Sequence, residues 1–342
     1  MQRTEISTYG EFGLIKHLTE KFKNENPSTL LGIGDDAAVL SYENKKVLVT
    51  TDLLLEGIHF DLVYVPLMHL GYKAAVVNFS DIYAMNGDPK QITVSIGVSK
   101  RFSVEDLDQF YAGISLACKK YGVDLVGGDT SASLTGLAIS ITCIGEAEAD
   151  KIVYRNGAKE NDLICVTGDL GSAYMGLQLL EREKMVFAGN EEVQPDFEEK
   201  DYILQRQLKP EARQDIIKSL REKGILPTSM MDISDGLSSE LMHICSQSNV
   251  GCRVFEDKIP IHYQAVVMAE ELNMNIVTAA LNGGEDYELL FTASLEDYDK
   301  IITMEGIAVV GHITKSAHGL QLVGREGEEI ELRAQGWNSL EN

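Results

Sequence analysis

The chain has 342 residues, enough for two domains with a sizeable core, and its 44% hydrophobic and 24% charged residues are typical of globular proteins. Acidic residues outnumber basic ones 53 to 30, and the formal net charge of −23 disfavours binding to nucleic acid or to anionic membranes. A phosphorylated small molecule would also be repelled, unless the acids hold divalent cations.

The cysteine pattern and the first residues of the chain indicate the cellular compartment to expect. The five cysteines are scattered, odd in number and without Cys-x-x-Cys spacing: Cys118, Cys143, Cys165, Cys245 and Cys252. This pattern favours reduced, buried thiols over a disulfide framework or a zinc site. Residues 1–5 do not resemble a signal peptide, and no apolar run reaches the roughly 18 residues that span a bilayer. We therefore expect a cytoplasmic protein.

The first half of the chain alternates predicted helices and strands. Its elements, starting with a helix and ending with two strands, are expected at 11–23, 47–52, 68–86, 92–98, 104–121, 124–126 and 137–145. The helix over 68–86 is apolar nearly all round, which implies burial between other elements. Gly87 and Pro89 end it.

A polar segment, residues 146–151, marks the expected boundary between domains of residues 1–149 and 150–342. The second half contains strands predicted at 163–167, 288–292, 307–313 and 319–323, and helices predicted at 173–182 and 210–223. Residues 184–204 are rich in Glu, Asn, Pro and Asp and are predicted to form a long exposed loop. Both halves therefore contain predicted strands and predicted helices.

Glycines and acids recur where predicted strands end. Gly32–Ala37 contains the adjacent carboxylates Asp35 and Asp36, the strand over 47–52 ends in Thr50-Thr51-Asp52, and Gly127-Gly128-Asp129 follows a third strand. Such a backbone turns sharply and presents oxygens to a cation, although a solvated turn is the ordinary alternative.

Three further acids stand out. Asp81 shares a face with Asn78 in the apolar helix, where a carboxylate needs either a cation or a structural salt bridge. Asp232 and Ser234 share a face if their segment is extended, whereas Asp235 sits where a helix N-cap would lie. N-capping explains Asp235 but does not explain Asp232.

The hard oxygen ligands that these motifs supply suit magnesium, which in turn holds substrate phosphates. They are Asp35, Asp36, Thr50, Thr51, Asp52, Asp81, Asp129, Asp232 and Asp235. There is no P-loop and no protein-kinase signature. A dinucleotide fingerprint at Gly32–Ala37 is a poor match, because acids fall where a pyrophosphate should meet bare amides. The residues themselves predict a magnesium–nucleotide phosphoryl-transfer enzyme.

The motifs resemble those of the thiamine-monophosphate kinases, in the ATP-binding superfamily of aminoimidazole ribonucleotide synthetase and selenophosphate synthetase. The resemblance runs from Gly10 to Trp337. Its specific runs are Gly-Ile-Gly-Asp-Asp-Ala-Ala (32–38), Thr-Thr-Asp (50–52), Glu-Gly-Ile-His-Phe (56–60), Val-Asn-Phe-Ser-Asp-Ile (77–82), Gly-Gly-Asp-Thr (127–130), Asp-Ile-Ser-Asp-Gly-Leu (232–237) and Gly-Gly-Glu-Asp-Tyr-Glu-Leu (283–289).

The resemblance implies transfer of the γ-phosphate of ATP to thiamine monophosphate, yielding thiamine diphosphate and ADP in the last step of thiamine diphosphate biosynthesis. It implies a two-domain α/β (α+β) fold like that of aminoimidazole ribonucleotide synthetase, in which the N-terminal domain binds metal and nucleotide. The strands of that domain would pair across a dimer barrel, making the protein a homodimer. The C-terminal α/β domain would complete the cleft for ATP and substrate.

The resemblance also assigns residues. Several magnesium ions would be held by Asp36, Thr50, Thr51, Asp52, Asp81, Asp129, Asp232 and Asp235. ATP contacts would come from Tyr111, Gly128, Asp129, Arg155 and Ser234, and substrate contacts from His59, Glu285 and Trp337. Asp52, Asp129 and Arg155 are the expected catalytic residues. Whether Asp35 or Asp36 is the main ligand stays open, as does packing of the tail as a role for Trp337.

Two alternatives remain. The first alternative is another enzyme, aminoimidazole ribonucleotide synthetase, and the motifs around His59 and Glu285 argue against it. The other is a metal–nucleotide sensor that binds ATP without turnover. For the kinase, direct in-line transfer is expected, because no cysteine or histidine lies in a nucleophile–base pattern.

Overall fold

A computed structural model describes Thr4 and residues 17–31, 39–42, 45–189 and 197–333. The chain divides into two compact units. One comprises Met1–Tyr83 and Gly87–Asp150, and the other comprises Ala84–Asn86 and Lys151–Asn342. Within the described part of the chain, no helix is both long enough and apolar enough to cross a membrane.

The first unit is built on a four-stranded sheet with the strand order β3-β6-β4-β5, and a separate antiparallel pair, β1-β2. Its strands are β1 (Thr29–Leu31), β2 (Val39–Leu40), β3 (Lys46–Leu55), β4 (Asp88–Val98), β5 (Asp124–Ala132) and β6 (Leu137–Ala147). The two long helices among its described residues are α1 (Leu67–Ala84) and α2 (Val104–Tyr121). The apolar helix predicted over 68–86 is α1, and its central residues are buried as expected.

The second unit contains a seven-stranded sheet with the order β13-β12-β9-β11-β7-β10-β8. Its strands are β7 (Leu163–Thr167), β8 (Ser229–Asp232), β9 (Val250–Phe255), β10 (Leu289–Ala293), β11 (Ile307–Lys315), β12 (Leu320–Val323) and β13 (Glu329–Glu331). Its helices are α3 (Ser172–Gly189), α4 (Asp201–Leu208), α5 (Gln214–Glu222), α6 (Leu237–Ser248), α7 (Tyr263–Glu271), α8 (Ile276–Asn282) and α9 (Tyr298–Ile301). The mixed helix–sheet architecture in both units confirms the predicted fold class.

Two strands run further than predicted, so their acids do not lie at strand ends. Asp52 is in the middle of β3, which pairs with β6 from Lys46 to Leu55. Gly127, Gly128 and Asp129 continue β5, because they pair in parallel with β4. A Cβ atom at Gly128 would lie 2.0 Å from the carbonyl oxygen of Val94, so this glycine permits close strand approach instead of a turn.

The predicted loop over 184–204 is wrong at both ends. Helix α3 continues to Gly189, and α4 starts at Asp201. Both are anchored by packing that composition does not reveal: the buried Ile203 and Met175 belong to one hydrophobic cluster. The intervening residues 190–196 lie outside the described residues, as does 11–16 of the first predicted helix.

Candidate active site

An acidic cluster in the first unit consists of Thr50, Asp52 and Asp81. The Thr50 hydroxyl donates a 2.5 Å hydrogen bond to Oδ2 of Asp81, which links β3 to α1. Asp52 lies two residues further on the same face of β3, where the alternating side chains are half-buried or buried. Burial, reinforced by the Asp81 charge, raises the pKa of Asp52 to about 6. Two carboxylates that disfavour each other's ionisation here would be stabilised by a cation.

The donor atoms of this cluster fit magnesium. One turn before Asp81, Asn78 is fully buried, and its Oδ1 has no hydrogen-bond partner among the described residues. Carboxylate, hydroxyl and amide oxygens are the hard ligands that this ion prefers. No group of three His, Cys, Asp or Glu side chains within the described ranges is close enough to hold an ion alone.

Asp129 does not join this cluster within one chain. Asp52 pairs with Ile141 of β6, whereas Asp129 pairs with Ser95 of β4 at the opposite edge of the sheet. Three strand spacings separate β3 from β5, so their Cα atoms are about 14 Å apart. One ion cannot bridge them in one chain. Thr51 also points away from Asp81, because its hydroxyl donates to the carbonyl oxygen of Ile141 at 3.1 Å.

His59 ends the turn after β3 and is exposed. Its Nδ1 accepts a 3.0 Å hydrogen bond from the backbone N–H of Leu55. In the neutral ring the proton is therefore on Nε2, which is available as a donor to a ligand oxygen. Tyr111, in contrast, is a core residue of α2: it is 7% exposed and its ring lies edge-on to Phe22 and Phe110.

In the second unit, two loops form a joined pair: residues 232–236 and residues 283–288. The backbone N–H of Glu285 donates to the carbonyl oxygen of Ser234 at 2.7 Å, and that of Tyr287 donates to Ile233 at 2.9 Å. Gly284 has φ of +69°, and a Cβ atom there would lie 2.4 Å from the Ser234 oxygen, so only glycine fits this contact. The structure thus brings Asp232, Ser234, Asp235 and Glu285 together.

Asp235 does not cap the following helix. Helix α6 begins at Leu237, and its N-cap residue, Gly236, provides no side-chain hydrogen bond. Instead, Oε1 of Glu240 accepts from the backbone N–H groups of Ser234 (3.0 Å) and Asp235 (2.8 Å). Burial raises the pKa of Glu240 to about 7. This carboxylate was missed in the sequence, although its position one turn into a helix after Asp-Gly was a signal.

A buried ion network supports the loop over 283–288 from behind. Arg206 and Arg213 both bind the carboxylate of Glu288, at 2.8 Å and 2.5 Å. Asp286 is fully buried and accepts from the backbone N–H of Gly171 at 2.9 Å. Neither arginine was identified from the sequence as part of the site. Arg206 lies just after the predicted loop over 184–204, and Arg213 lies within the helix predicted over 210–223.

Three of the predicted residues, Asp35, Asp36 and Trp337, lie outside the described residues. Arg155 lies in an exposed bend of the second unit, just after Tyr154, whose carbonyl oxygen accepts from Met230 of β8. Thus Arg155 is connected to the strand that ends in Asp232. An exposed guanidinium next to this strand is suited to a phosphate ligand.

Two family descriptions match the chain. The AIR synthase related protein N-terminal domain matches residues 34–147, and the C-terminal domain of the same name matches residues 159–322. The fold of both units and their acidic motifs therefore define an AIR synthase related protein.

Individual relatives identify the family within the AIR synthase related proteins. The thiamine-monophosphate kinase of Aquifex aeolicus (strain VF5) is 37% identical over 305 residues, covering 89% of this chain and 92% of the relative. A solved structure of AaThiL complexed with AMPPCP and TMP is 32% identical, with a TM-score of 0.73 and coverage of 98% of this chain and 99% of that chain. Thiamine-monophosphate kinase from Stenotrophomonas maltophilia K279a is 29% identical, with a TM-score of 0.79 and coverage of 94% and 98%. The chain belongs to the thiamine-monophosphate kinase family.

Proposed function

We propose that this protein transfers the γ-phosphate of ATP to thiamine monophosphate, forming thiamine diphosphate and ADP. The observation that carries the proposal is the pair of half-buried carboxylates Asp52 and Asp81, which a cation would stabilise. This pair lies in a chain that matches a thiamine-monophosphate kinase over 89% of its length. AaThiL, similar over 98% of this chain, binds AMPPCP and TMP. The same two ligand types, an ATP-like nucleotide and the monophosphate acceptor, are what this reaction requires.

Magnesium is the metal we assign to Asp52, Asp81 and Thr50 in the first unit and to Asp232 and Asp235 in the second. When bound, it would neutralise phosphate charge and hold phosphate oxygens. The family resemblance also assigns Asp36, Thr51 and Asp129 to magnesium, but within one chain Thr51 and Asp129 would not share the ion held by Asp52 and Asp81. The raised pKa of Asp52 supports this assignment, because the Asp81 charge that favours a proton on Asp52 would also favour a bound cation.

The remaining assignments concern nucleotide and acceptor. Arg155, Ser234, Gly128 and Asp129 are assigned to ATP, and the Arg155 guanidinium would stabilise charge on the transferred group. Tyr111, which the family resemblance also assigns to ATP, is a buried core residue of α2 in this structure. Glu285 would attract the cationic thiazolium ring, and Nε2–H of His59 would donate to the acceptor. Trp337 would stack on the acceptor rings. These groups bind and orient both substrates.

The transfer needs no protein base. A phosphate monoester has a second pKa of about 6, so the attacking oxygen is already largely deprotonated at pH 7. The remaining barrier is repulsion between two anions, which Arg155 reduces while the two substrates are held in line. All five cysteines are buried, and none forms a nucleophile–base pair in the pattern of covalent catalysis.

We also propose that the protein works as a homodimer in the cytoplasm. The outward side of β3 exposes Val47, Val49 and Leu53, an apolar edge strand that a second copy would cover. The separation of Asp52 from Asp129 supports the same assembly, because a second copy can bring its own β5 to β3. Five unpaired, buried cysteines suit a reducing compartment.

The decisive assay combines purified protein, ATP and magnesium with either thiamine monophosphate or thiamine, followed by identification of the products. We expect ADP and thiamine diphosphate in equal amounts with the monophosphate, and no product with thiamine. ATP binding without ADP formation would instead indicate the nucleotide sensor. Thiamine monophosphate as the product from thiamine would indicate a different kinase.

A further inference from the structure

Glu285 occupies a strained and tightly determined position. Its backbone is left-handed, with φ of +58°, and its N–H donates to Ser234 at 2.7 Å. A non-glycine residue in this region persists only where its surroundings hold it. The side chain is held separately: Nε2 of Gln207 donates a 2.7 Å hydrogen bond to Oε2 of Glu285. The direction of the Glu285 carboxylate therefore depends on a residue 78 positions away.

The side chain of Gln207 is buried and belongs to a tightly packed helix, α4. It is 5% exposed on α4, and α4 packs closely on α3, where a Cβ atom at Gly176 would lie 2.1 Å from the carbonyl oxygen of Ile203. Tyr202, one residue into the helix, stacks on His262 with ring centroids 3.8 Å apart. A buried amide on a packed helix loses little further freedom when it holds Glu285.

The Gln207 amide is uncharged, so its hydrogen bond does not itself neutralise the charge of Glu285. The cation beside Gln207, Arg206, is directed elsewhere: it binds Glu288 at 2.8 Å and the backbone oxygens of Asp169 and Asp286. The hydrogen bond from Gln207 thus positions Glu285 without neutralising it.

We propose that Gln207 is a positioning residue that holds the Glu285 carboxylate ready for the cationic ring of the acceptor and so determines preference for a charged over a neutral acceptor. This role rests on the proposed function, because Glu285 must face the acceptor. A lysine in place of Gln207 would pair with Glu285 and cancel the charge that the ring needs. Methionine, of similar size, would remove this hydrogen bond to Glu285.

The experiment measures steady-state kinetics of Gln207→Met and Gln207→Lys with two acceptors: thiamine monophosphate, and a deaza analogue whose five-membered ring is uncharged. For Gln207→Met we expect KM for thiamine monophosphate to rise about tenfold, as for loss of a hydrogen bond to a charged group, while KM for ATP changes less than twofold. For Gln207→Lys we expect the parent's preference for the charged acceptor to disappear.

The matched control is Gln205→Met, the same substitution at an exposed position of the same helix. It should leave both KM values and the acceptor preference unchanged. Thermal melting of each variant reports whether it is folded, and Glu285→Gln alone should lose the preference for the charged acceptor as Gln207→Lys does.

The outcomes separate the two proposals. If the parent chain phosphorylates thiamine monophosphate but both Gln207 variants keep its acceptor preference, the role of Gln207 is wrong and the function stands. Equal increases in KM for ATP and acceptor would show a structural role and would also overturn the inference. A parent chain that phosphorylates no acceptor contradicts the proposed function itself.

Discussion

The hydroxyl of Thr50 donates to Oδ2 of Asp81 at 2.5 Å, and this contact joins an edge strand of the first sheet to the buried helix α1. It directs Oδ2 of Asp81 toward the strand and so sets the orientation of this carboxylate. We therefore predict that Thr50→Val weakens magnesium activation about tenfold through loss of a charge-assisted hydrogen bond. Titration of activity with magnesium measures this, Thr50→Ser should restore it, and Thr93→Val in the same sheet is the control.

Asp52→Asn should abolish turnover and at the same time stabilise the metal-free protein. Burial and the Asp81 charge raise the pKa of Asp52, so the neutral amide removes an unfavourable charge. We expect activity to fall at least ~100-fold, while the melting temperature in EDTA rises by about 2 °C. Magnesium should then stabilise the variant less than the parent. Glu146→Gln, whose carboxylate pairs with Lys45, is the control, and a lower melting temperature for Asp52→Asn would argue against the charge explanation.

Asp286 predicts a pH dependence of stability. Burial raises its pKa to about 7, above its ordinary value, although Arg206 opposes this. The native state then binds a proton more tightly than the unfolded chain, so the contribution of Asp286 to stability is lost as pH rises toward 7. Between pH 5.5 and 8, the free energy of unfolding of the parent should fall by about 2 kcal/mol more than that of Asp286→Asn. Urea unfolding at both pH values measures this, and parallel behaviour of the two proteins would show that Asp286 is ionised throughout.

Mixed dimers test how Asp52 and Asp129 are combined. If one active site takes Asp52 from one copy and Asp129 from the other, a dimer of Asp52→Asn with Asp129→Asn retains one intact site. Random mixing of the two inactive variants should then recover about a quarter of parent activity. Mixing either variant with itself is the control. No recovery after verified subunit exchange would mean that both acids serve the same site within one chain.

Stereochemistry tests direct transfer. The described cysteines are buried, and the acceptor phosphate needs no base, so a single in-line displacement is expected. ATP with a chiral γ-phosphate should give thiamine diphosphate with inverted configuration at the transferred phosphorus. Retention, or a phosphorylated protein trapped from labelled ATP, would mean two displacements.

Local patterns were enough to predict several elements and most of the chemistry. Helix α2 was predicted from its amphipathic period, and the structure has it over Val104–Tyr121 with a capping box at Ser103. The Gly-Asp motifs also indicated hard oxygen ligands before any geometry was known. Such features depend on residues within one or two turns of each other, which a sequence displays directly.

Contacts between residues far apart in the sequence could not be predicted from local patterns. Nothing local shows that β5 continues through two glycines, because the reason is its pairing with β4. The same holds for Gln207 and Glu285, for Glu240 beneath Ser234, and for the arginines that bind Glu288. Their roles arise when packing removes water and leaves each polar group only the partners that tertiary structure provides. The sequence by itself thus determined which chemistry the chain carries, and the tertiary structure decided which side chains hold that chemistry in place.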